Sequence, residues 1–380
     1  MPHTKVRVGV VGFGHMHVND VMRRFNDIPG VQWVAAADTV ADPPETTAST
    51  FTRAWNARYA RESIGIPRIY PTYAEMLDRE DFDVVLVFSE NARHAEIVEA
   101  VAVHRCAIVV EKPMAESLSS AMRMIRAARQ AGAELFVNWP STWQPAVRKV
   151  AELIARGAIG QIHEVKYRGG HTGPLGVGAQ HQGVGTGAVV VTDVDRSQTW
   201  WYRAGTGGGA LLDYASYGAC LACWYFGEPA TAVMALAANL GTPYASVDDN
   251  AAALVRFPSG IAMCEASWTQ VDPGVTGGPI VYGETGTIVV QRQGQRSWIE
   301  VRRGSVTEPE VVDADDLPAG RQNIAQEIVH HLQTGDPVHL TLQPSFNLGP
   351  MAILDSAIRS IRSGRVELVG NEHWGWDEGT

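Results

Sequence analysis

The chain has 380 residues, 45% of them hydrophobic and 19% charged, and a formal net charge of −10. This composition excludes disorder as the main state, and the length predicts two domains. The acid excess argues against a nucleic-acid partner, and the longest apolar runs, residues 8–11 and 84–88, are far too short to span a membrane.

Residues 5–138 alternate strand and helix. Strands are predicted at 6–11, 31–37, 69–70, 84–88, 107–110 and 135–138. Helices are predicted between them at 15–26, 48–63, 73–77, 92–103 and 117–131. The run 84–88 is continuously apolar, as a strand buried on both faces must be. Repeated strand–helix units predict a doubly wound parallel sheet, a Rossmann domain over residues 1–138. The pattern then changes. An amphipathic helix at 145–156 precedes strand-like segments at 162–167, 231–238, 251–257, 261–270, 279–282, 287–291 and 297–301, several separated by glycine turns. Residues 139–380 therefore read as an α+β domain with a large open, mostly antiparallel sheet. Further helices are expected at 211–226, 323–333 and 348–362. Residues 169–187 hold eight glycines and read as a loop.

Residues 6–11 are too short for a signal-peptide core, so a cytoplasmic location is expected. The four cysteines, Cys106, Cys220, Cys223 and Cys264, make no disulfide framework and suit a reducing compartment. Cys220 and Cys223 lie in an apolar helix and read as small core residues. Only four of the 31 basic residues are lysines: Lys5, Lys112, Lys149 and Lys166. Arginine supplies this chain's surface cations, so a lysine in an apolar setting calls for a reason.

Three constellations carry chemistry. Gly12-Phe13-Gly14-His15-Met16-His17 follows the first strand and opens a helix, where a G-x-G turn lets backbone approach a pyrophosphate. Asp38 ends the next strand, where a carboxylate can accept both ribose hydroxyls of NAD and repel a 2′-phosphate. NAD is thus expected ahead of NADP. His17 replaces the third glycine. His15 and His17, two positions apart on a helix, should face different ways, so no metal is expected. Second, Glu111-Lys112-Pro113 ends the strand at 107–110, where such sheets bind ligands. Third, Gly207-Gly208-Gly209 opens an apolar helix on which Asp213 and Tyr217 share one face.

In this order and spacing, these motifs resemble the Gfo/Idh/MocA oxidoreductases, the glucose–fructose oxidoreductase and inositol dehydrogenase family. Ser89-Glu90-Asn91-Ala92-Arg93-His94 is similar to the family's Thr-Pro-Asn-x-x-His loop, and residues 282–287 resemble its late sheet turn. The resemblance covers nearly the whole chain. It implies hydride transfer between NAD(P) and a sugar, cyclitol or related polyol, with Lys112 as the catalytic lysine and Asp213 as the helix aspartate. Tyr217 stands where the family usually has histidine. Glu90 stands for proline, and Ala215 for a common glycine. The expected cofactor contacts are Gly12, Phe13, Gly14, His15, Met16, Asp38, Ser89, Asn91, His94, Glu111 and Lys112. The resemblance also implies a homodimer or homotetramer joined through the second sheet. Two alternatives are an NAD-using glycoside hydrolase of the same family and a non-catalytic nucleotide-sensing protein.

Oxidising an alcohol removes a hydride and a proton, so the protein must supply a proton acceptor. A tyrosine begins near ~10, and bringing it to neutrality takes roughly 4 kcal/mol. One ammonium at ~4 Å in an effective dielectric of about 20 supplies that much. Lys112 is therefore expected either to make the phenol of Tyr217 a base or to relay the proton itself, with His171 and His181 of the glycine-rich loop as the other candidate acceptors. Trp139, Trp143, His171, His181, Trp201 and Tyr202 are the candidate pocket residues around the pair.

Overall fold

The computed structural model describes residues 5–39, 51–176 and 191–370, apart from 273, 295 and 305–307. The first sheet is built from β1 (Val6–Val11), β2 (Val31–Ala37), β3 (Ile69–Tyr70), β4 (Val84–Val87), β5 (Ala107–Glu111) and β6 (Leu135–Asn138), in the order β3-β2-β1-β4-β5-β6. Every pairing is parallel. The four residues of β4 are fully buried because helices cover both faces of the sheet. Strand order reverses between β1 and β4, which opens a crevice at their carboxyl ends. Gly12 and Ser89 face each other across it. A Cβ on Gly12 would meet the Ser89 backbone at 2.8 Å, and its φ of +91° also demands glycine.

The second sheet contains β7 (Ile162–Gly170), β8 (Ala232–Ala238), β9 (Asn250–Arg256), β10 (Ile261–Ser267), β11 (Ile280–Gly283), β12 (Gly286–Gln293), β13 (Arg296–Arg303), β14 (Glu310–Val312) and β15 (Glu367–Leu368). Their order is β14-β13-β12-β11-β7-β10-β9-β8-β15. Only β7 and β10 pair parallel. β9 shows the expected alternation: Ala251, Ala253 and Val255 point into the core, while Ala252, Leu254 and Arg256 face out.

Two features were not legible locally. The helix expected at 211–226 begins with a wider π turn, Leu211–Ala215, before Ser216–Phe226 continues as α-helix. The C-terminal helices also return to the first sheet. Ile324, Ala325 and Ile328 join the core around β1, and Leu348, Met351 and Leu354 join the core on the sheet's other side. An amphipathic pattern says that a helix is covered, but not by which layer. Among the described residues no helix is long and apolar enough to cross a membrane.

Candidate active site

β5 ends at Glu111, so Lys112 emerges at the carboxyl edge of the sheet. Its side chain is 1% exposed. A buried ammonium needs partners, and the Gly207–Gly209 turn delivers them. Lys112 Nζ donates to Asp213 Oδ1 at 2.7 Å and to the Asp213 carbonyl at 3.0 Å. The indole of Trp268 donates to the other carboxylate oxygen of Asp213 at 3.0 Å. Burial pushes the Asp213 carboxyl up, but Lys112, His171 and these hydrogen bonds outweigh it and hold the group below the usual range. Asn91 ties the cluster to the first domain by donating to the Gly207 carbonyl at 2.8 Å.

Tyr217 lies on Lys112, whose Nζ stands 4.5 Å from the centre of its ring. The lysine thus meets the face of the ring, not its hydroxyl. Burial pushes the phenol far above its ordinary value, and the charge of Glu111 adds to this. The expected effect of Lys112 on Tyr217 meets an opposing one here: burial and Glu111 raise the phenol, and the ammonium faces the ring and not the hydroxyl.

Glu111 is completely buried. It accepts from Asn138 at 2.7 Å and pairs with His17 Nδ1 at 2.9 Å. His15 and His17 do not face apart. His15 sits in the turn before the helix His17–Asn26, and both imidazoles turn toward Glu111. The three donor atoms lie within 4.8 Å of one another. A metal nevertheless suits the trio poorly. His15 Nδ1 accepts the His17 N–H at 3.2 Å, which leaves the proton on Nε2, the atom facing Glu111. A protonated nitrogen is no ligand.

On the other side of the crevice, Asp38 accepts the N–H groups of Phe13 at 3.2 Å and Thr39 at 2.7 Å. Arg53 bridges Asp38 and Glu90. Its guanidinium packs on the bare backbone of Gly14, where a Cβ would meet it at 2.8 Å. Burial raises the Asp38 carboxyl, and Arg53 only partly opposes this. No arginine adjoins Asp38 in sequence; the fold brings one from the next helix. Trp200 donates to the Gly14 carbonyl at 2.8 Å, so the second domain closes over the turn. The bare glycine turn, the acid at the end of β2 and the crevice between β1 and β4 fit a dinucleotide.

A cavity of about 480 Å³ opens beside Tyr217, lined also by Tyr167, Tyr214, Gln144 and Arg292. The six aromatic and histidine candidates are placed otherwise. Trp139 is buried, donates to Asn347 and packs edge-on to Tyr217, supporting the ring from behind. Tyr202 is a core residue that donates to the Pro174 carbonyl. Trp143 lines a separate cavity with His17. Trp201 stacks on Trp200 and meets His15 on the cofactor side. His171 lies edge-on to Tyr214 and acts on Asp213, and burial lowers its pKa. His181 lies outside the described residues. Among the expected cofactor contacts, Phe13 and Met16 are core residues, and His94 is buried with Nδ1 on the Met114 carbonyl. Trp268 was missed, although it continues the inward row of Ala262, Cys264 and Ala266. Arg53 had no local signal.

Residues 6–139 match the model of an oxidoreductase family with an NAD-binding Rossmann fold, and residues 147–289 match the GFO/IDH/MocA C-terminal domain. The chain belongs to the Gfo/Idh/MocA family. It is 30% identical over 151 residues to a D-apiose dehydrogenase of Paraburkholderia graminis, covering 40% of this chain and 36% of that one. It is 30% identical over 156 residues to inositol 2-dehydrogenase 3 of Saccharopolyspora erythraea, covering 41% and 42%. These matches span less than half the length of either relative. Among solved structures, the aldose–aldose oxidoreductase of Caulobacter crescentus complexed with glycerol aligns over 96% of this chain and 99% of its own. Its TM-score is 0.74 at 21% identity, a likeness of fold.

Proposed function

We propose that this Gfo/Idh/MocA chain transfers a hydride between a nicotinamide cofactor and a CH–OH group of a sugar, cyclitol or related polyol. The observation that carries it is the Lys112–Asp213 pair under the face of Tyr217. The pair lies at the carboxyl edge of a Rossmann sheet, and Tyr217, which covers Lys112, lines a cavity of about 480 Å³. A bound nicotinamide supplies the hydride acceptor or donor. The chain supplies the rest: Asp213 fixes Lys112, Lys112 and Tyr217 present donors to the reacting oxygen, and Tyr217 exchanges the proton. A panel of polyols and their keto forms, followed by NADH absorbance, tests this. Activity with none of them would overturn it.

NAD(H) is the proposed cofactor. Asp38 and Glu90 place two carboxylates around one guanidinium, so the ribose corner is acidic on balance. Calorimetry should show NAD(H) binding at least about tenfold tighter than NADP(H). Asp38→Ala should narrow that gap, and Arg53→Ala should widen it, because Arg53 is the cation a 2′-phosphate would meet. Equal binding by the unaltered chain would refute the preference.

The outer face of the second sheet is proposed as a homo-oligomer interface. The register aligns Met234, Leu254, Met263, Lys166, Ile280 and Val289 across six strands. Leu236, 70% exposed, and Leu254, 48% exposed, lie on this same face and make an apolar patch of it. Light scattering should report a dimer or larger, and Leu254→Arg should shift it toward monomer. A monomeric unaltered chain at micromolar concentration would remove the proposal. A reducing compartment such as the cytoplasm is supported by four free, buried cysteines.

A further inference from the structure

We infer that the substrate is an anion, a polyol bearing a carboxylate, and that Arg292 is the residue that reads it. This rests on the dehydrogenase reading above and adds the substrate's charge.

Arg292 follows Ile288 and Val290 on the inward row of β12. Those two are buried in the core, whereas Arg292, near the end of the strand, is exposed and lines the mouth of the cavity beside Tyr217. One edge of its guanidinium donates to Gln144 Oε1 at 2.6 Å. Among the described residues no carboxylate pairs with it. The other cations near the site are committed: Lys112 to Asp213, and Arg168 to Glu265 at 2.5 Å. No aspartate or glutamate among the described residues lines this cavity. In a chain of net charge −10, an acid-free cavity with an uncommitted guanidinium is a local reversal of the overall field.

Gln144 precedes Pro145 at the start of the helix Pro145–Ala155. It and Arg292 line both this cavity and the neighbouring one that holds His17, whose one acid among the described residues, Asp20, is paired with Arg23 and Arg24. An amide oxygen holding one edge leaves the planar fork able to take a carboxylate by the other, the bidentate geometry for which arginine is suited. A single guanidinium matches one negative charge. A phosphate dianion would call for further cations or a row of backbone N–H groups.

The test uses the full chain with NAD and matched substrates: D-glucose against D-glucuronate, D-glucitol against D-gluconate, and D-glucose 6-phosphate as the phosphate arm. The expected result is a kcat/KM at least about tenfold higher for the carboxylate member of a pair, carried by KM. Arg292→Ala should lower the ratio of carboxylate to neutral kcat/KM by roughly 10- to 100-fold, and Arg292→Lys by less. Calorimetry with the carboxylates in the presence of NADH gives the same comparison without turnover. Thermal melting checks that each variant is folded. A preference for the neutral or phosphorylated member, or an unchanged ratio in Arg292→Ala, overturns the inference while leaving the dehydrogenase intact. Neither turnover nor binding of any member overturns both.

Discussion

Lys112→Ala should lower turnover by about a hundredfold or more, with NAD affinity changed far less. The ammonium stands under the Tyr217 ring and against Asp213; on the proposed reading its loss removes a donor from the reacting oxygen, and it frees the carboxylate that fixed it. The same substitution has a second consequence. Asp213 stays buried with Trp268 as its remaining side-chain donor, and removing one partner of a buried pair costs about 3–5 kcal/mol. The two effects separate in a double variant. Adding Asp213→Asn to Lys112→Ala removes the stranded charge and should restore much of the stability, but not the turnover. Steady-state kinetics with denaturant melts measures both. Turnover within a fewfold of the unaltered chain in folded Lys112→Ala would exclude Lys112 from the chemistry. The depressed Asp213 carboxyl also sets a sign. Its contribution to stability is present above the ordinary carboxylate range and is lost as pH falls through its lowered folded value.

Tyr217→Phe should slow turnover by about 10- to 100-fold and should also change the shape of the pH profile. Burial and the Glu111 charge hold the phenol in its protonated form at neutral pH. In the reducing direction that form is the one required, so the rate should be flat through neutrality and fall only under alkaline conditions. In the oxidising direction the phenolate must accept the proton, so the rate should climb with pH across the same range. Phenylalanine cannot ionise, and the variant should lose that alkaline limb. Glu111→Gln should move the limb to lower pH, because Glu111 is the charge that, after burial, does most to raise the phenol. An unaltered limb in Tyr217→Phe would transfer the proton exchange to Lys112, His171 or His181.

The local sequence sufficed where chemistry is bound to short-range geometry. A short, β-branched apolar run within repeated strand–helix units fits a strand covered on both faces, so Val84–Val87 and the parallel sheet were legible. A G-x-G after a strand leaves few backbone paths, and Gly12 takes the one that only glycine permits. A lysine following a buried strand, in a chain that otherwise uses arginine, is conspicuous from the sequence alone. Helical spacing predicts Asp213 and Tyr217 on one face, but the π turn at Leu211–Ala215 that carries Asp213 was not legible in it. What the sequence could not decide is whatever depends on residues far apart in the chain. The pairing of Arg53 with Asp38 and Glu90 joins three separate elements of the first domain. Trp268 reaches Asp213 from 55 positions away. The protonation of Tyr217 turned on whether Lys112 met the ring or the hydroxyl, and on how much water remained beside them. Charges act through space and in proportion to desolvation, so a residue's type and neighbours in sequence set which group is present. Only the packed tertiary structure sets how far it is shielded, which partner claims it, and hence which proton it holds.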